Sequence, residues 1–474
     1  MILNFLNRYF QIRENQTTLR KEIIAGAVTF FTMSYIIFLQ PAILSGALFG
    51  FSTGMSASSV AAATILASFL GSLAMGVLAR LPVALAPGMG ENFFFVLTVI
   101  PAAAAVNPEK GWQIALGTVF LSGLLFFILS ASGGRKWILQ AVSPGMKGAI
   151  AAGIGLFIAL IGLKNGSIIV LSQSTGIAMN PGIYGPDAVI FFLGMFITAS
   201  LHGRGVPGSL LIGIIASALL SLIIKYLFSF FGGFGEESVI SQSLLMKNFS
   251  VPDAVFALPD MDFSTFFALE ITDALNISMI PYIFIFLFMM SFDATGTLIA
   301  VGKRAGLLKN GELPRSGQAF LADAGATVTG ALFGTSTVTA YIESTAGVEQ
   351  GGRTGLMPVA AGIFFLSALF LSPVVHMIGG YPPITAPALV MVGSMMMQSI
   401  RDIDWTDITE ALPAFITIAG IPFTSSISDG IALGLLVYPV MKILTGKGRE
   451  VNAMMILAAL IVCGYLFFLR PSIG

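Results

Sequence analysis

Four carboxylates stand inside or beside apolar runs of this chain: Glu91 in APGMGENFFF, Asp293 in MMSFDATGTLIA, Asp323 in FLADAGATVTG and Glu343 in TAYIESTAG. A charge at the centre of a bilayer costs about 2.5–3.5 kcal/mol on insertion scales, so each such residue is a functional candidate by default. A carboxyl group in a dry pocket can take a proton from one side, meet a substrate and release the proton on the other. Asp293 lies deepest in its run and reads as a site residue or as the partner of a neighbouring helix end. Glu343 stands in an interrupted apolar segment and reads the same way. Asp323, about two turns into its run, fits a site acid or a bond to a nearby hydroxyl or backbone group. Glu91 fits the site or the outer vestibule. Beside it, Asn92 can both donate and accept, which suits an amide-like ligand. Phe93 or Phe94 would stack on a flat ring if turned inward, and would face lipid otherwise. Thr335, Ser336 and Thr337 read as helix-end caps rather than ligand contacts. The candidates for proton coupling are therefore Glu343, Asp293 and Asp323, and the candidates for substrate binding are Asp293, Glu343, Gly90, Asn92, Phe93 and Glu91.

The elements that must hold these residues are membrane helices. Of 474 residues, 56% are hydrophobic and only 10% charged, against roughly 25% charged in soluble domains. The chain is expected to be an all-α polytopic membrane protein, in contact with the lipid bilayer and with no nucleic-acid partner. Apolar segments of span type fall near 23–45, 57–79, 82–100, 112–131, 143–163, 187–201 and 207–231, and again near 279–301, 316–333, 335–347, 355–377, 383–399, 408–424 and 426–444. They are numbered here as spans 1 to 14. A polar, partly amphipathic connector, 232–278, joins the two sets, and a run at 451–469 could form a further hydrophobic helix. Basic residues gather before span 1 and after even-numbered spans: Arg80, Arg135, Lys136, Arg204, Lys303, Arg304, Arg353, Arg401 and Lys442. That bias places the N-terminus, including a charged lead-in at 1–22 without a signal-peptide cleavage pattern, in the cytoplasm of a cell that carries the protein in its (inner) membrane.

Seven spans per half force the halves to face opposite ways. VSPGMKGAIAAGIGL (142–156) resembles YPPITAPALVMVGSM (381–395), TMSYIIFLQPAILSG (32–46) resembles FMMSFDATGTLIAVG (288–302), and GSLAMG (71–76) resembles GALFG (330–334), in matching order. Inverted repeats mark secondary transporters, and a Gly/Pro-interrupted segment at matching places in both halves points to a midplane site. Spans 3 (PVALAPGMGENFFF) and 10 (TSTVTAYIESTAG) are that pair. A broken helix frees backbone groups that must find partners in lipid, and Gly88 and Gly90 let backbone approach a ligand closely.

Other chemistries are poorly served. The single cysteine, Cys463, excludes an intramolecular disulfide, and two histidines, His202 and His376, exclude a histidine-rich metal site. There is no ATP-binding P-loop pattern, no catalytic triad and no zinc-protease histidine pair, so neither a cofactor nor a metal nor an enzymatic activity is expected.

The combination FLQPAILSG (38–46), APGMG (86–90) with Asn92, SFDATGTLIAVGKRAGLL (291–308) and GTSTVTAYIESTAGVEQGGRTGL (334–356) resembles the guanine/hypoxanthine/adenine permease branch of the nucleobase–cation symporter superfamily, over about 20–444. The resemblance implies a uracil-permease-like fold of seven plus seven inverted repeats, with a core domain (23–131 and 279–377) holding substrate and a gate domain (137–231 and 381–444) as scaffold. It implies import of a purine nucleobase with protons, rather than sodium, by alternating access, and a homodimer through the gate domain. The family's binding carboxylates fall on Asp293 and Glu343, its third-span determinants on Gly90 and Asn92, and its span-9 acid on Asp323. Where the branch usually has an apolar residue before this asparagine, the chain has Glu91. The competing expectations are a permease of the same fold for xanthine, uracil, an inorganic anion or another small solute, and, in a different class, an ion channel or intramembrane enzyme. An anion carrier should offer basic or neutral groups, and the residues singled out above are acids.

Overall fold

The computed structural model describes residues 2–132, 143–172, 176–231, 238–252, 254–258, 262–308 and 313–451, with 455, 456, 459, 460 and 463. The apolar run expected at 451–469 lies largely outside them, as do Arg135 and Lys136. Helix dominates. Nine helices among the described residues are long and apolar enough to cross a bilayer: Leu19–Leu44, Ala57–Ala79, Met89–Val106, Gly111–Ser132, Pro144–Asn165, Pro186–Gly203, Ser209–Phe231, Ile280–Arg304 and Leu356–Gly379. These are spans 1 to 8 and 11. Helices Ser316–Phe333, Ala386–Met396, Ile408–Thr424 and Ile427–Leu444 stand where spans 9, 12, 13 and 14 are expected.

Local chemistry sets the ends. Thr18 caps span 1 by accepting the Lys21 N–H, and Ser143, followed by Pro144, caps span 5 by accepting the Met146 N–H. Span 2 ends in a π-helical turn and Arg80 in the left-handed region, which turns the chain sharply back into the protein.

Among the described residues, four short strands interrupt the helices. β1 (Leu85–Pro87) opens span 3, and β4 (Val338–Ala340) lies in span 10. They pair antiparallel with Leu85 opposite Ala340 and Pro87 opposite Val338. Corresponding segments of the two halves therefore meet head to tail, as an inverted repeat requires. β2 (Ile169–Ser172) and β3 (Gly176–Met179) form a second antiparallel pair between spans 5 and 6.

The helices fall into two packed groups. Span 1 packs on span 11, span 2 on spans 9 and 11, and span 4 on spans 8 and 9; separately, span 5 packs on spans 12 and 13, span 13 on span 14, and span 6 on spans 7 and 12. Span 3 reaches across to spans 5 and 14. Glycines bring backbones together within each group. A Cβ on Gly355 would lie 2.1 Å from the Gly76 carbonyl oxygen, and one on Gly393 would lie 2.3 Å from that of Gly155. Such contact is how helices associate in lipid, where apolar burial gives no drive. The connector docks on the first group: Asp262 accepts from the Ser56 and Ser58 hydroxyls, and the Glu270 N–H donates to the Gln113 carbonyl at 2.9 Å.

Candidate functional site

Two broken spans at membrane depth leave strand edges that water cannot satisfy. The neighbouring helices satisfy them with side chains. On the outer edge of β1, the Ser72 hydroxyl accepts the Leu85 N–H at 2.9 Å and donates to the Leu85 carbonyl at 3.1 Å. On the outer edge of β4, the Thr327 hydroxyl donates to the Val338 carbonyl at 2.8 Å, and Asp323 Oδ1 accepts the Ala340 N–H at 2.8 Å. The Tyr341 hydroxyl donates to the Pro87 carbonyl at 2.5 Å, and the Ser344 hydroxyl accepts the Ala84 N–H at 3.0 Å. This is the local reason for the small polar residues of spans 2 and 9.

Beside this two-strand unit lies a cavity of about 720 Å³, within the range of small-molecule sites. Its wall on the first helix group is Tyr35, the junctions Gly88–Glu91 and Thr339–Glu343, and the face of span 8 that carries Phe288, Phe292 and Asp293. Spans 5, 12 and 14 form the facing wall, with Ile154, Met396 and Leu435 in the middle and Lys147, Gln398 and Asp402 toward the start of span 5 and the end of span 12. Asp293 is exposed to this space and Glu343 is half-buried, with its Oε1 accepting the Tyr35 hydroxyl at 2.8 Å. Glu91 is buried and folds back over Gly88: a Cβ there would lie 2.4 Å from Glu91 Oε2. Three of the four candidate carboxylates thus converge on one cavity.

Not every expected residue reaches it. Gly90 lines the cavity and faces span 5, where its missing Cβ would touch Ile154 Cγ2 at 3.4 Å. Asn92 is fully buried behind the wall. Its amide donates to Gln40 Oε1, and its Oδ1 accepts from Gln40 Nε2 at 3.0 Å and from the Ser336 hydroxyl. Gln40 Nε2 also lies 2.9 Å from Thr335 Oγ1 and 3.1 Å from Ser336 Oγ. The asparagine's polar groups are therefore engaged in joining spans 1, 3 and 10. Phe93 and Phe94 face neither the cavity nor lipid: Phe93 packs edge-on against Phe49 at 5.8 Å and Phe94 against Phe286 at 4.8 Å, both fully buried. Asp323 lies behind β4, its Oδ2 buried without a hydrogen-bond partner, and does not line the cavity.

Tyr35, Phe288, Phe292, Tyr341 and Lys147 also line the cavity and Gln40 lies behind its wall, although none of them is among the residues expected from sequence. Signals were present for several. Gln40 interrupts an apolar run, Tyr341 stands two residues before Glu343, and Phe292 immediately precedes Asp293. The phenylalanines that do line the cavity, beside Tyr35 and Tyr341, are Phe288 and Phe292, one turn apart and nearly parallel at 6.0 Å and 17°.

Fold and site together define a multi-pass membrane transporter of the inverted-repeat class. A profile described as the permease family matches residues 20–433, and the chain belongs to that family. Among its relatives are the guanine/hypoxanthine permease PbuO of Bacillus subtilis, 39% identical over 97% of this chain and 100% of the relative, and the adenine permease AdeP of Escherichia coli, 38% identical over 96% and 94%. The fold is shared with the transmembrane domain of the cyanobacterium bicarbonate transporter BicA (TM-score 0.60, 15% identity, 88% of this chain and 97% of that one). It is also shared with a murine solute carrier 26 family anion transporter in the inward-facing state (TM-score 0.61, 11% identity, 93% and 72%).

Proposed function

We propose that the chain is a proton-coupled importer of purine nucleobases, not an enzyme, and that Asp293 and Glu343 hold the base. The observation that carries this reading is the convergence of Asp293, Glu343 and Glu91 on a cavity also walled by Phe288 and Phe292. An ionised carboxylate accepts two N–H bonds and an aromatic face holds a flat ring, which are the two needs of a neutral heteroaromatic base. The names of the relatives support guanine, hypoxanthine and adenine as the substrate class. Asp323, one layer behind the wall, is the third proton-coupling acid, and Glu91 the third cavity acid.

In this reading the first helix group is the mobile core and the second is the gate, paired with its copy in a homodimer. The N-terminus is cytoplasmic, so the Lys147–Asp402 mouth opens to the cytoplasm of a cell that carries the protein in its membrane. Sliding of the core carries Asp293 and Glu343 between the two sides. The test is uptake of labelled hypoxanthine by cells expressing the chain, competed by unlabelled guanine, adenine, xanthine and uracil. Purines should compete, and uptake should rise as external pH falls and collapse with a protonophore. Uptake that follows a sodium gradient and ignores the protonophore would replace the proton; competition by uracil alone would replace the purine.

A further inference from the structure

Lys147 is the one basic side chain among the described residues that line the cavity. It stands in the first turn of span 5, just inside the Ser143 cap. Its ammonium lies 4.5 Å from the centre of the Phe292 ring, across the seam between the two helix groups. Phe292 and Asp293 both line the cavity, so a cation of one group meets an aromatic ring on the wall that also carries the acids of the other. The repeat does not account for it, because the residue in the matching place of the second half is Ala386. Gln398 and Asp402 line the same side of the cavity, so the ammonium stands in a polar mouth above an aromatic ring.

We infer that Lys147 is a specificity-determining residue of the cavity, donating to the O6/N7 edge of a 6-oxopurine and so favouring guanine and hypoxanthine over adenine. The inference rests on the purine reading above. Ionised carboxylates only accept hydrogen bonds and a lysine only donates. The acids of one wall therefore take the N–H groups of a base, and the facing ammonium takes its acceptors. A 6-oxopurine presents O6 and N7 as adjacent acceptors; adenine presents an amino donor beside N7. An ammonium meets two acceptors on the first edge, and on the second one acceptor and a repelling donor. In nucleic-acid recognition the same pairing is worth about 5- to 150-fold between the right and the wrong base.

The test uses the full-length chain in cells, with inhibition constants for guanine, hypoxanthine and adenine in the wild type, Lys147→Met, Lys147→Gln and Lys147→Arg, each normalised to its abundance in the membrane. Lys147→Met should weaken guanine and hypoxanthine by about 5- to 150-fold while leaving adenine unchanged. Lys147→Arg should keep the 6-oxo preference, because a guanidinium donates to the same edge. Lys147→Gln, which supplies a neutral donor and acceptor, should move the preference toward adenine and decides the matter if the methionine variant fails to assemble. Equal weakening of all three bases would make Lys147 a counter-charge for the acids and overturn the inference, as would unchanged ratios. A wild-type chain that carries no purine sinks the purine reading and this inference with it; a purine carrier whose ratios ignore Lys147 sinks the inference alone.

Discussion

Spans 3 and 10 occupy matching places in the two halves, and both break into a strand beside the cavity, yet they are built for different work. After β1, span 3 resumes as one long helix, Met89–Val106, pinned from behind by the Gln40–Asn92–Ser336 cluster and by buried Phe93 and Phe94. It offers the cavity chiefly backbone at Gly88 and Gly90, with the single acid Glu91. After β4, span 10 resumes for only six residues, Ser344–Glu349, and its junction turns Thr339, Tyr341 and Glu343 into the cavity. One break supplies a rigid floor; the other supplies side chains. Symmetry of the repeat therefore dictates where the chain breaks, and sequence decides what each break presents.

The largest effects should come from the side-chain end of that contrast. Losing a hydrogen bond to a charged group costs about 1.5–3 kcal/mol, or about 10- to 150-fold in affinity for each bond lost. Glu343→Gln and Asp293→Asn should each abolish measurable purine uptake while the protein reaches the membrane at normal abundance. Wild-type uptake kinetics in either would break the assignment of span 10 and span 8 as the binding elements.

On the backbone side, Gly90→Val adds γ-methyls where a Cβ already touches Ile154 Cγ2 at 3.4 Å. The substitution should jam the seam between the helix groups, lowering the maximal uptake rate far more than substrate affinity. An affinity loss with normal maximal rate would mean that Gly90 meets the base rather than span 5.

Behind the floor, Gln40→Leu strands the Asn92 amide N–H group and the Thr335 hydroxyl, at about 1–3 kcal/mol for a buried unsatisfied group. Its signature should be a lower melting temperature in detergent, which Glu343→Gln should not share. Equal melting temperatures would show that the cluster does not hold span 3 in place.

The mildest test concerns Glu91. Gly88→Ala places a Cβ 2.4 Å from the present position of Glu91 Oε2 and must push that carboxylate aside. If Glu91 faces the base, Gly88→Ala and Glu91→Leu should shift the competition profile and the pH optimum in the same direction, by severalfold at most. A profile and optimum untouched by Glu91→Leu would make the acid a helix-start cap and nothing more.

Much of this was legible in the residues alone. Charge scarcity and apolar run length announce a multi-pass membrane protein, because hydrocarbon tolerates little else. Glycines and a proline beside Glu91, matched by the polar run around Glu343, announce two broken spans, because intact helices avoid those residues unless backbone must open. Charge at depth singles out Asp293 and Glu343, and both line the cavity. What sequence could not decide is which way each side chain of the broken spans faces. Asn92 and Phe93 are one and two residues from Glu91, yet a helix turns about 100° per residue, so neighbours in sequence point to different surroundings. Nor could spacing bring Tyr35 to Glu343, 308 positions away, or Lys147 to Phe292. Those meetings depend on the packing of helices from both halves, settled by close glycine contacts such as Gly76–Gly355 and by the satisfaction of freed strand edges, and only the tertiary structure contains them.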